Sequence, residues 1–269
     1  MIKKLINKRI FDKNGFVLIN TSLNNNSSFD KLCNEIDNCL IKQIKDTNLN
    51  KLGGYIVGNL NINQGQLGSK LYSLVFKKEL KNYFEKLVKK KINLFDIRHG
   101  GNLTLPKKGT QLFHIDGSFK NEMYMLSIAT QNITLDNGPT EICVGSHIRP
   151  MSFGEFFFSK KKKKKFLIKK KKKKKKLLMK KGQILIRKHN LWHRGTKNFS
   201  NKPRLLLSFI LTPKDKKIKA EQVSSKFKIL RNSFKNDLAG KFHETIYVNL
   251  NFVIVIIKIL LSYLKKITN

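Results

Sequence analysis

The chain has 269 residues, 40% of them hydrophobic and 10% aromatic, which is enough for one domain with a real core and unlike a disordered segment. Its 56 Lys and Arg against 17 Asp and Glu give a formal charge of +39. Such a field attracts nucleic acid, anionic lipid or acidic small molecules, although the abundance of Asn and Ile beside Lys makes a plain compositional bias the preferred reading. Cys33, Cys39 and Cys143 are odd in number and show no CxxC spacing, which excludes a disulfide framework and a cysteine zinc site. Residues 1–10 lack the apolar run of a secretory signal, so a reducing, cytoplasmic location is expected.

In chain order, Asn14-Gly15 before Phe-Val-Leu-Ile reads as a turn feeding a short strand. Ser28 caps a helix expected to run to about Ile44, with Leu32, Ile36 and Leu40 on one face. A polar, Gly-rich loop follows from Gly53 to Gly68, and then one amphipathic helix over 70–88. From Leu94 the pattern changes to short apolar runs between Gly, Pro and Asn. Strands are expected over 111–119, 123–130, 141–144, 183–187, 191–194 and 204–211. Helices followed by many short strands suggest a double-sheet antiparallel barrel carrying helices on its outside. Lys160–Lys165 and Lys169–Lys176 are unbroken lysine runs, read as part of a low-complexity, solvated surface excursion over 160–181. Beyond Pro213 the chain is expected to be basic and helical. The apolar stretch 252–264 is too short to span a bilayer, which takes roughly 20 apolar residues. It reads as a buried helix, with a membrane-surface contact as the sharper alternative.

Three residues point to metal chemistry. His114 and Asp116 stand two apart in a strand-like run, so both side chains face the same way and can share one ion. His193, in a later strand, supplies a third donor. Two imidazoles and one carboxylate on one face of an octahedron are the signature of non-haem iron(II) oxygenases. Arg204 lies eleven residues past His193 at the head of a strand. A guanidinium there forms a bidentate pair with a carboxylate, such as the distal one of 2-oxoglutarate. Asn102 and Gln111 flank the first metal strand as hydrogen-bonding candidates for co-substrate or substrate. His147 reads as structural, His189 is not used as a ligand, and His99 and His243 look incidental.

The stretches 111–117 (QLFHIDG), 137–147 (NGPTEICVGSH), 181–187 (KGQILIR) and 191–204 (LWHRGTKNFSNKPR) resemble the phytanoyl-CoA dioxygenase family in content and order. The resemblance implies a mainly β fold, a double-stranded β-helix (jelly-roll, cupin-like) core with flanking helices. It implies His114, Asp116 and His193 as iron(II) ligands, Arg204 as the 2-oxoglutarate anchor, and dioxygen as the oxidant. On this reading residues 1–215 form the dioxygenase domain and 216–269 a basic and apolar helical extension. The expected activity is hydroxylation of an unactivated C–H bond of a small-molecule or acyl substrate, giving succinate and CO2. The carboxylate of Asp116 leaves no vacant ligand position for a halide, which favours hydroxylation over halogenation. Lys188 and His189 depart from the family's pattern. Two rivals stand beside this reading: a non-catalytic jelly-roll ligand-binding protein, and a nucleic-acid-directed demethylase of the same chemistry. The DNA-repair branch of that chemistry carries a second Arg six residues after the first, where this chain has Ile210, so no specific nucleic acid is expected as a partner.

Overall fold

The computed structural model describes residues 8–116, 122–148, 173–215 and 225–249. Four helices come first, interleaved with two strands: α1 (Lys8–Asn14), β1 (Phe16–Ile19), α2 (Ser27–Asp46), β2 (Asn59–Asn63), α3 (Gly65–Val75) and α4 (Lys78–Val88). Eight further strands follow: β3 (Phe95–Thr104), β4 (Tyr124–Ala129), β5 (Thr140–Cys143), β6 (Lys174–Leu177), β7 (Ile184–Lys188), β8 (His193–Gly195), β9 (Arg204–Pro213) and β10 (Lys228–Ile229). Helix α5 (Leu238–Asn249) ends the described chain.

The strands form two sheets, one ordered β1-β7-β4-β9-β3-β2-β10 and a smaller one ordered β6-β5-β8. Every pairing in them is antiparallel. Period-two alternation assigns the two faces of the large sheet. On β9, Leu205, Leu207, Phe209 and Leu211 join Tyr124, Leu126, Ile128, Ile184 and Ile186 in a core roofed by α1 to α4, whose Phe11, Phe29, Ile36, Leu71 and Phe84 are buried against them. The opposite face supplies Phe16, Ala129, Leu185 and Leu206 to a second core, closed by Ile142 and Leu177 of the small sheet. Both faces of the large sheet are therefore covered, which explains the near-continuous apolar run of β9. Two facing antiparallel sheets with helices outside are the expected jelly roll.

Local signals account for the element ends. Asn26, rather than Ser28, caps α2, its Oδ1 accepting from Phe29 N at 2.9 Å. Gly15 sits at φ +85°, and a Cβ there would fall 2.4 Å from His147 Nδ1, so the turn into β1 requires glycine.

Several expectations need correction. The helix expected over 70–88 is two helices, broken at Phe76-Lys77. Phe76 turns inward there, 4.6 Å from the ring of Tyr72 and 5.0 Å edge-on from Phe209, and this packing outweighs the continuous helical periodicity. The Gly-rich loop expected between Gly53 and Gly68 contains β2, and β3 went unread because Arg, His and two glycines obscure its alternation. The segment read as a strand over 111–119 keeps a single bridge, His114 to His193, while 117–121 lie outside the described residues. The lysine tract is not wholly a surface excursion. Lys174–Leu177 is a strand paired with β5, because Leu177 and Met179 have a core to enter. Residues 160–172 lie outside the described chain. Past Pro213 the chain is not simply helical, since β10 adds an edge to the large sheet before α5. The apolar stretch 252–264 lies outside the described residues.

Candidate active site

A cavity of about 690 Å3 opens between the two sheets. His114, Asp116, His193, Arg204, Gln111 and Asn102 all line it. The structure thus brings together in one place every residue singled out for the site.

His193 lies on β8 and is buried, and its backbone pairs with that of His114, N to O, at 2.9 and 3.0 Å. That ladder rung sets the two rings side by side, with centroids 4.5 Å apart. Each ring is oriented by a carbonyl: His114 Nδ1 lies 2.8 Å from Leu112 O, and His193 Nδ1 lies 3.0 Å from Leu191 O. With Nδ1–H donating to those carbonyls, each Nε2 lone pair is turned into the cavity. Asp116 faces both, its Oδ1 3.5 Å from His114 Nε2 and its Oδ2 3.3 Å from His193 Nε2. One donor atom from each of the three lies within 4.8 Å of the others. Adjacent ligands about 2.1 Å from a common ion sit roughly 3 Å apart, so the donor set fits a metal with little movement.

The electrostatics of His193 and Asp116 suit the same use. Burial drives the His193 imidazole down to about 3, so it is a neutral donor at ordinary pH. Burial opposes the charging of His114 too, yet the Asp116 and Leu112 hydrogen bonds and the Asp116 charge outweigh it and lift its pKa. Desolvation would raise the Asp116 carboxyl, but His193, Arg187 and His114 together hold it well below the usual range. The carboxylate is charged, with 26% of its side chain exposed at the cavity.

Arg187 ends the 181–187 stretch, and the sequence alone assigns it no role. It is buried on β7 and pairs with Asp116 Oδ2 at 2.5 Å, with its Nη2 also 3.3 Å from His193 Nε2. An inward position two residues after Leu185 on a strand was the available signal. His189 and His99, which the sequence left without a role in the site, also line the cavity. Burial lowers His189 to about 4, and its Nδ1 has no hydrogen-bond partner.

Arg204 opens β9 opposite Thr104, and only 1% of it is exposed. It donates from Nη2 to Gly138 O at 2.7 Å, while its Nε is buried without a partner. Burial lowers it to about 10, so it stays cationic at neutral pH. A buried guanidinium with spare donors and no carboxylate within ion-pair distance among the described residues is suited to receive an anion. Gln111 accepts from Gly195 N at 2.8 Å. Asn102 Oδ1 accepts from Thr104 Oγ1 at 3.3 Å. Both therefore brace the cavity wall between the metal residues and Arg204.

The motif from Asn137 to His147 now has a physical purpose. Gly138 presents its carbonyl to Arg204 from φ +82°, where a Cβ would stand 2.8 Å from Thr196 O. Pro139 O accepts from Thr196 Oγ1 at 2.6 Å. Ser146 Oγ accepts from Trp192 N at 2.9 Å, fixing the residue before His193. His147, as expected, is structural: its Nε2 lies 2.9 Å from Asp12 O.

Facing sheets with a His–Asp–His cluster and a buried arginine define a jelly-roll protein built around a metal and an anion. The model of the phytanoyl-CoA dioxygenase family matches residues 11–206, well over half of the chain, and the chain belongs to that family. It is therefore an oxidoreductase, a dioxygenase dependent on iron and 2-oxoglutarate. Among solved structures it is similar to AviO1 from Streptomyces viridochromogenes Tue57, with 14% identity, a TM-score of 0.59, and 83% of this chain and 99% of that one covered. It is also similar to EctD from S. alaskensis with bound Fe, with 14% identity, a TM-score of 0.58, and 85% and 86% covered. The epimerase SnoN in complex with Fe3+, alpha ketoglutarate and nogalamycin RO gives 12% identity, a TM-score of 0.56, and 84% and 94% covered. At such identities the likeness is one of fold. No curated protein matches the sequence.

Proposed function

We propose that the protein hydroxylates an unactivated C–H bond of a small molecule, with His114, Asp116 and His193 holding iron(II) and Arg204 holding the distal carboxylate of 2-oxoglutarate. The observation that carries this reading is the coincidence, in one cavity, of three convergent donors and a fully buried guanidinium with a free donor. When bound, iron(II) with 2-oxoglutarate and dioxygen supplies oxidative decarboxylation to succinate and CO2 and the oxidising power to break a C–H bond. The protein's residues do the rest. Leu112 and Leu191 carbonyls fix the imidazole tautomers, and Arg187 keeps Asp116 charged and aimed. Arg204, steadied by Gly138, takes the co-substrate's far end. Asp116 would give the metal a carboxylate ligand where a halide would otherwise bind, which favours oxygen transfer. The solved structures of SnoN and EvdO2, with alpha ketoglutarate and 2-oxoglutarate bound, are of the same fold. Cys33, Cys39 and Cys143 form no disulfide among the described residues. Among the described residues no helix is long and apolar enough to cross a membrane.

The test is turnover. Purified protein with iron(II), ascorbate and 2-oxoglutarate should release succinate, and release should rise with a true substrate. Asp116→Ala and His193→Ala should abolish it while retaining the folded circular-dichroism spectrum. Undiminished turnover in either variant would overturn the ligand assignment.

A further inference from the structure

The large sheet presents its cavity face as successive cross-strand rows. Arg98 of β3 is in register with Ile210 of β9, Ile210 with Met125 of β4, and Met125 with Arg187 of β7. Cross-strand partners share a face, and all four residues line the cavity. The next row inward is Gly100, Ser208, Ser127 and Leu185, small and hydroxylic up to the apolar Leu185, with Ser127 Oγ 2.9 Å from Ser208 Oγ. Further along lie Asn102 with Leu206, and then Thr104 with Arg204. Ile210 and Arg204 are six residues apart on β9, about 20 Å along the strand. The cavity thus has a guanidinium at each end of a long axis, with the metal residues between the walls.

The charges do not balance without another anion. Asp116 is the only carboxylate lining the cavity among the described residues, against Arg98, Arg187 and Arg204. Arg187 is matched by Asp116. On the proposed function, a metal dication and the 2-oxoglutarate dianion would cancel each other, and Arg204 would take the dianion's distal carboxylate. Arg98 is left half-buried, with no carboxylate within ion-pair distance among the described residues. A half-buried guanidinium that faces the cavity without a protein anion has donors open to an anionic ligand. The side chains around it are of two kinds. Ile210 is its apolar cross-strand neighbour, with Met125 beyond it on β4, while Asn61 and Asn63 offer polar edges elsewhere on the same cavity wall.

We infer that Arg98 is a specificity-determining residue that binds an oxyanion, a carboxylate or a phosphate monoester, carried by the primary substrate on a short aliphatic body. The aliphatic part lies along Met125 and Ile210, which sets a C–H bond toward the metal residues while the anion stays at the β3 wall. This rests on the function proposed above. It goes beyond that function by naming the chemical class of substrate and the residue that selects it.

The test uses hexanoate, hexyl phosphate and hexanamide as probes, titrated calorimetrically at about 0.15 M salt, where distant surface charge is screened. The protein is preloaded anaerobically with iron(II) and 2-oxoglutarate. Wild type should bind hexanoate or hexyl phosphate about tenfold or more tighter than hexanamide, as expected for charge-assisted hydrogen bonds. The tighter of the two anions names the source. Arg98→Gln should bring the three probes to within about twofold of one another, and Arg98→Lys should restore part of the preference. Lys86→Gln removes one exposed charge away from the cavity and should keep the full preference. Equal binding of anions and amide in the wild type, or an undiminished preference in Arg98→Gln, overturns the subsite. If the wild type takes up neither iron nor 2-oxoglutarate yet keeps an Arg98-dependent anion preference, the oxygenase reading falls and the subsite stands.

Discussion

At the scale of single residues, the site is a set of polar groups whose charge states were fixed by their surroundings. His189 illustrates the consequence for stability. Its imidazole is buried and held near 4, against about 6.5 when free. A folded-state pKa below the unfolded one means that the unfolded chain binds the extra proton first. The stabilisation is present above pH 6.5 and is lost as pH falls from 6.5 toward 4. By pH 5 the loss from this residue alone is about 2 kcal/mol. His189→Gln should flatten the part of the pH–stability curve between 7 and 5, measured by urea denaturation. An unchanged slope would show that His189 is charged in the folded protein. The ligand candidates were legible in sequence because the HxD spacing and a later WHR mark them directly. Arg187 was not, because nothing in a strand's residue order says that an inward arginine will meet an aspartate from 71 positions earlier.

At the scale of elements, short apolar runs made most of the sheet readable. β4, β7 and β9 fall within a few residues of their expected spans, since each is a nearly unbroken apolar run buried on both faces. β3 escaped because its cavity face carries Arg98, Gly100 and Asn102, residues selected for the cavity and not for strand propensity. The Asn137 to His147 connection reads in sequence only as a motif; the fold reveals it as a brace between Arg204 and β8. Gly138→Ala should therefore act at a distance. The new Cβ meets the Thr196 carbonyl at 2.8 Å in a backbone region unfavourable to alanine, costing about 1–2 kcal/mol. The Arg204 support shifts, so 2-oxoglutarate should bind roughly tenfold more weakly while metal binding changes little. Titration of each ligand separates the two effects. A loss of metal affinity with 2-oxoglutarate binding intact would contradict the brace.

At the scale of the whole molecule, the described part of the tail is built into the domain and not appended to it. β10 closes the edge of the large sheet, and Glu244 of α5 is fully buried, accepting from Ile56 N at 2.8 Å and Val57 N at 2.6 Å. Those amides lead into β2, which borders the cavity through Asn61 and Asn63. Glu244→Ala strands two backbone donors, which costs about 2 kcal/mol or more. A single cooperative unfolding transition at lower urea is expected; a separate early transition for the tail would contradict this coupling. Sequence composition hid the arrangement, because a lysine-rich stretch gives no sign of which acid it will bury. The charge of +39 is a property of the surface at large, whereas the cavity draws its selectivity from a few placed guanidiniums. On the proposed function this cavity assembles a metal and 2-oxoglutarate together. Anaerobic titration of the metal-free protein with iron(II) and 2-oxoglutarate tests it most directly, through the visible charge-transfer band of the chelate. The band is expected in the wild type, lost in Asp116→Ala and weakened in Arg204→Ala. Folded wild-type protein that gives no band would contradict it.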